Sequence, residues 1–173
     1  TTDGGGWTLV LNYLHAGGTN NPLVVKSNAL PLLGSTTLGT DESASSTTWG
    51  HTSNTYLNSF AFSELRFYGK TNANARIMHF KTSHSGTISY FKTGTGSMTG
   101  INTSFTALVS HSAYLPNSAN NYFTDQGTLA MTNFPFWLNG TYHWGIQGGG
   151  SRWEVDDFPN SASNHTHHQI WIR

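Results

Sequence analysis

The chain contains no cysteine, which excludes disulfides, thiolate metal centres and cysteine nucleophiles together. Charge is nearly as scarce: Asp, Glu, Lys and Arg make up 9% of residues, against about 25% in an ordinary soluble domain. No Lys/Arg run occurs, and the net charge is +0 with the histidines neutral. Phosphate backbones and acidic lipid surfaces both require clustered cations, so neither nucleic acid nor a charged membrane surface is an expected partner. No stretch approaches the ~18 apolar residues of a membrane-spanning helix, so membrane insertion is not expected. No signal-peptide pattern, internal repeat or separating linker is present. A long apolar stripe at helical spacing is also missing.

What the chain does have is aromatic side chains, 13% of its 173 residues. That is enough material for one core, and the length suits one domain spanning 1–173. Ser, Thr, Asn and Gly replace the missing charge. The combination predicts a β-rich domain with a neutral surface of hydroxyls and amides, a composition common outside the cell or on its surface. Trp7 to Tyr13 follows the Asp3–Gly6 turn and reads as a strand buried on both faces. A strand beginning this early fits a domain excised from a longer chain. The region 22–48 is loop-rich, and its Asp41-Glu42 pair reads as a solvated turn. Phe60 to Tyr68 has strand composition, although Ala61 to Leu65 also suits a short helix. Arg76 to Lys81 alternates as a strand, and Thr87 to Phe91 reads as its hairpin partner across Gly86. Phe105 to His111 suits either a short helix or a buried strand. In the last strand, His167 to Arg173, alternation puts His168, Ile170 and Ile172 on one face and His167, Gln169 and Trp171 on the other. This strand is expected in the central sheet, beside the one that starts at Trp7, with Trp7 and Trp171 in the core.

The candidate site lies between Trp137 and Asp157. Of eight acidic residues in the whole chain, three (Glu154, Asp156, Asp157) fall within four positions. Asn139, His143 and the run Gly148–Gly150 precede them, with Tyr142, Trp144 and Trp153 interspersed. Oxygen ligands, turn glycines and aromatic rings are the materials of a calcium-dependent sugar site. They equally suit an acidic turn beside an aromatic core.

Two motifs carry a family resemblance. Asp3-Gly4-Gly5-Gly6-Trp7-Thr8-Leu9-Val10 resembles the opening of fibrinogen-related domains, and more closely that of the intelectins, the X-type lectins. Gly140 to Gly150 resembles the intelectin segment that carries a ligand histidine just before a glycine run, and Glu154 follows at the family's spacing. Ile170-Trp171-Ile172-Arg173 resembles the closing strand. The resemblance implies a fibrinogen-like α+β fold with a central, mostly antiparallel sheet, few short helices and long irregular loops. It also implies Ca2+-dependent recognition of a sugar diol on a cell-surface glycan. His143, Glu154 and Asn139 would be ligands, with Asp156 and Asp157 completing the site or holding a second ion. Tyr142, Trp144 and Trp153 would pack on the sugar. The chain departs from the family in being compact and cysteine-free, in placing Asn139 one position further from His143, and in leaving only Val155 to Thr166 for the aromatic loop. These departures suit a microbial or viral adhesin domain.

Other classes compete. A hydrolase would use Glu154, Asp156 or Asp157 with His143, but no nucleophile motif or metallohydrolase spacing accompanies them, and the chain is expected not to be an enzyme. A receptor-binding tip of a fibre or pilus would need no calcium. His165, His167 and His168 have spacings that can bind a transition metal, although strand-edge residues, one bonded to the acidic loop, are the simpler expectation. A weak single-site lectin needs multivalency, which predicts a multivalent parent or a homo-oligomer.

Overall fold

The computed structural model describes residues 2–15, 50–52, 54–119, 136–138, 141–147, 152–156 and 164–173. The fold is β-rich α+β. Its larger sheet runs β2-β1-β10-β3-β4-β5, built from β1 (Thr8–His15), the two-residue β2 (Gly50–His51), β3 (Leu65–Thr71), β4 (Ile77–Thr82), β5 (Phe105–Ala107) and β10 (Thr166–Ile172). A smaller sheet runs β6-β7-β8-β9, in which β8 (Thr141–Gln147) and β9 (Arg152–Asp156) form the long pair and β6 (Ser118–Ala119) and β7 (Phe136–Leu138) extend it. The pairings are antiparallel. The helices are a single turn, α1 (Asn54–Leu57), and α2 (Ser85–Thr93).

The last strand behaves as its sequence predicts. Thr166, His168, Ile170 and Ile172 are buried while the intervening residues are half-buried. It is a central strand, flanked by β1 and β3, so His167 and His168 are not at a sheet edge. Its inner face meets Leu11 and Tyr13 of β1, Leu65 and Phe67 of β3, and Met78 and Phe80 of β4 in one core. Phe67 is at the centre, stacked on Phe80 at 5.2 Å and edge-on to Phe91 of α2 and Trp144 of β8. Each such fully buried ring contributes about 1.5–3 kcal/mol through apolar burial.

Further expectations are corrected. Thr87 to Phe91 is not a hairpin strand but the body of α2. The β-branched and aromatic residues favour a strand locally, yet His84 Nδ1 accepts the Thr87 N–H as an N-cap and Gly94 ends the helix in the left-handed conformation. Gly86 is no turn residue either: a Cβ there would lie 1.6 Å from the Ser97 carbonyl oxygen, so only glycine lets the helix pack against that segment. Residues 60–64 are neither strand nor helix, because the Ser63 and Glu64 N–H groups both bond the Arg173 carbonyl and hold the chain in an irregular approach to β3. Phe105 to His111 yields only the three-residue β5, half-buried to exposed, and then turns at Ser110 (φ 75).

A further correction concerns β1 and the tryptophans. β1 is buried on both faces only from Val10 to Tyr13, and Leu9 stays 48% exposed. Trp7 and Trp171 are half-buried on the outer face of the large sheet. There they hold guanidinium groups: Arg66 lies 3.8 Å from the Trp171 ring centre and Arg173 lies 4.3 Å from that of Trp7. Arg173 and Lys81 both reach Asp3 and Glu64, so an ion-pair network ties the Asp3–Gly6 turn to the end of β10.

Candidate functional site

The β8–β9 pair organises the candidate residues. Its register sets His143 opposite Asp156, Trp144 opposite Val155 and Gly145 opposite Glu154. Strand alternation therefore separates two faces. Trp144 and Val155 turn toward the large sheet and pack directly on the backbone of Gly69. A Cβ at Gly69 would sit 2.8 Å from Trp144 Cδ1 and 3.1 Å from Val155 Cγ1. The indole N–H donates to the Tyr68 carbonyl at 2.7 Å. Trp144 is 1% exposed, so its ring belongs to the core and leaves no face for a sugar.

His143, Glu154 and Asp156 share the other face, with His143 and Glu154 diagonal neighbours across the ladder. Such neighbours lie within reach of long side chains. All three are buried, Glu154 to 1% exposure and Asp156 to 0%. Burying a carboxylate requires donors or a cation. For Asp156 these are visible: Arg76 Nε donates at 2.5 Å and Asn74 Nδ2 at 2.8 Å, both to Oδ2. Arg76 also lies 5.6 Å from the Tyr142 ring centre, and Tyr142 meets the exposed Tyr114 edge-on at 4.9 Å. Tyr142 and Asp156 both adopt positive φ, 53° and 69°, a conformation that costs a non-glycine residue energy and persists only where its surroundings impose it.

From beneath, His168 donates from Nε2 to the Glu154 carbonyl at 3.0 Å and lies edge-on to Trp144. The last strand thus reaches the acidic strand through one imidazole. His167 instead bonds Asn12 Oδ1 at 2.8 Å on the opposite face of β10, and burial holds its imidazole below the usual histidine range. His165 is exposed before β10 begins. The three histidines therefore do not converge. Among the described residues no group of three or more His, Asp or Glu side chains could hold a metal ion.

Asn139, Gly148–Gly150, Asp157 and the Trp153 side chain lie outside the described residues. Sequence reasoning missed Arg76, Asn74 and Tyr114. The signal for Arg76 was available in principle, since a carboxylate cluster in a charge-poor chain needs a cation and few exist. Nothing local marks Tyr114.

Comparison of the chain with family models, curated proteins and solved structures finds no match.

Proposed function

We propose that the chain is a calcium-dependent glycan-binding domain, a lectin or adhesin of the intelectin-like, fibrinogen-related kind. It acts outside the cell or at its surface and is not an enzyme. The observation that carries this reading is the β8–β9 register, in which His143 and the buried Glu154 are diagonal neighbours on one face. Those two residues stand at the spacing on which the family resemblance rests.

The residues fit calcium in part. Glu154 supplies a charged oxygen in a buried setting where a cation offsets the cost of desolvation. His143 supplies a nitrogen contact or a hydrogen bond to a sugar hydroxyl. Asn139 and Asp157 are the remaining side-chain candidates. Asp156 does not fit as a ligand, because Arg76 and Asn74 already hold its Oδ2; its role is to fix the end of β9. A bound calcium would supply coordination positions that a vicinal diol can fill in place of water. The chain's own contribution is to orient: Trp144 locks β8 onto Gly69, and Tyr142 with Tyr114 forms an aromatic rim.

The Arg76–Asp156 pair also weighs against hydrolysis, since a carboxylate bound to a guanidinium is a poor proton shuttle. It lends some support to a second reading, a calcium-independent receptor-binding tip, because one of the acidic groups is neutralised by the protein itself. Glycan-array binding with and without EDTA decides between them. Binding lost in EDTA and restored by calcium is expected; binding indifferent to EDTA would leave the tip reading in place.

A further inference from the structure

A groove of ≈ 700 Å³ runs along α2 on the side of residues 62–64, well separated in sequence from the acidic hairpin. Its apolar lining includes Ile88 and the edge of the largely buried Phe62, and hydroxyls of Ser63, Ser83 and Ser85 border it. Within the described residues these three hydroxyls form no hydrogen bond to the protein, whereas the nearby Ser89 and Thr93 hydroxyls are bonded to backbone carbonyls.

The two charges in the groove differ in kind. Glu64 is neutralised by Lys81 and Arg173. Lys92 has no carboxylate partner among the described residues: its ammonium lies 4.4 Å from the Phe62 ring centre and reaches only the Phe62 carbonyl, at 3.4 Å. The groove thus offers one unmatched positive charge, a small apolar floor and a border of unused hydroxyls. By the helical rise, Ser85 and Lys92 stand roughly 10 Å apart along α2, a span that suits two sugar rings better than one.

We propose that this groove is a metal-independent binding site for a short acidic saccharide, with Lys92 holding a ring carboxylate and Ser63, Ser83 and Ser85 bonding ring hydroxyls. Carbohydrate recognition uses hydroxyl contacts and a small apolar face for the C–H side of a ring, and the groove supplies three exposed serine hydroxyls beside Phe62 and Ile88. A phosphate or polyanion fits poorly, because a single lysine faces it and the Glu64 carboxylate stands nearby. An extended peptide fits poorly too. The groove is lined by an irregular segment, a helix and the residues after β4, so it presents no strand edge for main-chain pairing. The site is independent of the calcium reading and would stand if that reading failed.

The test is an NMR titration of the full chain in EDTA with galacturonosyl-galactose, which carries one carboxylate, its neutral counterpart galactobiose, and a short acidic peptide. The expected result is saturable shifts confined to residues 62–64 and 83–93 with the acidic disaccharide and far weaker ones with the other two. Lys92→Gln should weaken binding about tenfold through loss of a charge-assisted bond, with melting unchanged, and Lys92→Arg should retain it. Ser83→Ala with Ser85→Ala should weaken it several-fold. No shifts in the groove, equal binding of the neutral disaccharide or the peptide, or a Lys92→Gln protein that binds normally would each overturn the proposal. Loss of calcium-dependent glycan binding at the hairpin would not affect it.

Discussion

Gly69→Ala probes the joint that positions the whole acidic hairpin. Gly69 sits within β3, paired with His168 on one side and Met78 on the other, so its backbone cannot retreat without breaking two ladders. Its added methyl would meet Trp144 Cδ1 at 2.8 Å and Nε1 at 3.1 Å. Neither atom is the end of a flexible chain, and moving the indole stretches its 2.7 Å bond to the Tyr68 carbonyl. Overpacking of this kind costs about 1–3 kcal/mol, and weakening the hydrogen bond adds up to about 1 kcal/mol. Reduced freedom of the unfolded chain returns about 0.4–1 kcal/mol. The net expectation is a loss of about 1–3 kcal/mol, or roughly 2–12 °C in melting temperature for a domain of this size. Urea unfolding followed by near-UV circular dichroism measures it. A Trp144→Leu background removes the obstacle, so there the same glycine substitution should be close to neutral, and the double-mutant cycle isolates the contact. A Gly69→Ala protein as stable as the parent, or an equal cost in both backgrounds, would refute the docking.

Further outcomes follow from other contacts. Arg76→Met should destabilise by about 3 kcal/mol, because it removes a guanidinium that pairs with the buried Asp156 carboxylate; the 37% exposure of the Arg76 side chain and the remaining bond from Asn74 keep the cost at the lower end, and chemical denaturation reads it. Gly86→Ala should cost at least about 3 kcal/mol, since its Cβ meets a backbone oxygen at 1.6 Å, and hydrogen exchange should show α2 opening. Stability should fall as pH drops below the ordinary histidine range near 6.5. Burial holds His79 and His111 below that range, and each accepts a hydrogen bond on a ring nitrogen, His79 from Arg66 and His111 from the His79 N–H. A depressed folded-state value means the unfolded chain takes up protons first. The stabilisation is therefore complete above pH 6.5 and declines below it, by at most about 1.4 kcal/mol per pH unit for each imidazole. A second decline is expected below the usual carboxylate range. Hydrogen bonding from Lys81 lowers Asp3; in Glu64 burial pushes upward, and the bonds and charges of Lys81 and Arg173 together outweigh it, so the net shift is downward. Melting temperatures flat from pH 7.5 to 5 would contradict the histidine assignment.

The parts of the fold legible in the sequence are those where one periodicity and one partner suffice. β10 alternates cleanly, and its pairing with β1 joins the two apolar runs that stand near the ends of the chain. α2 was not legible because its residues prefer strands, and the decisive features are a histidine cap and the contact of Gly86 with Ser97, eleven positions on. Alternation did place Trp171 opposite Ile170, yet ring size suggested core; the guanidinium of Arg66, from a different strand, is what covers it. At the candidate site the clustering of acids was visible, but the partner of Asp156 lies 80 residues away, beyond any local signal.

The most direct test of calcium-dependent recognition is a calorimetric calcium titration of the parent chain beside Glu154→Gln. Saturable calcium binding in the parent is expected, with melting raised by about 2.7 kcal/mol of stabilisation at a hundredfold excess over Kd. Both effects should vanish in Glu154→Gln, while Asp157→Asn and Asn139→Ala weaken binding to lesser degrees. A parent chain that takes up no calcium, or a Glu154→Gln protein that binds it as well as the parent, would contradict the central claim.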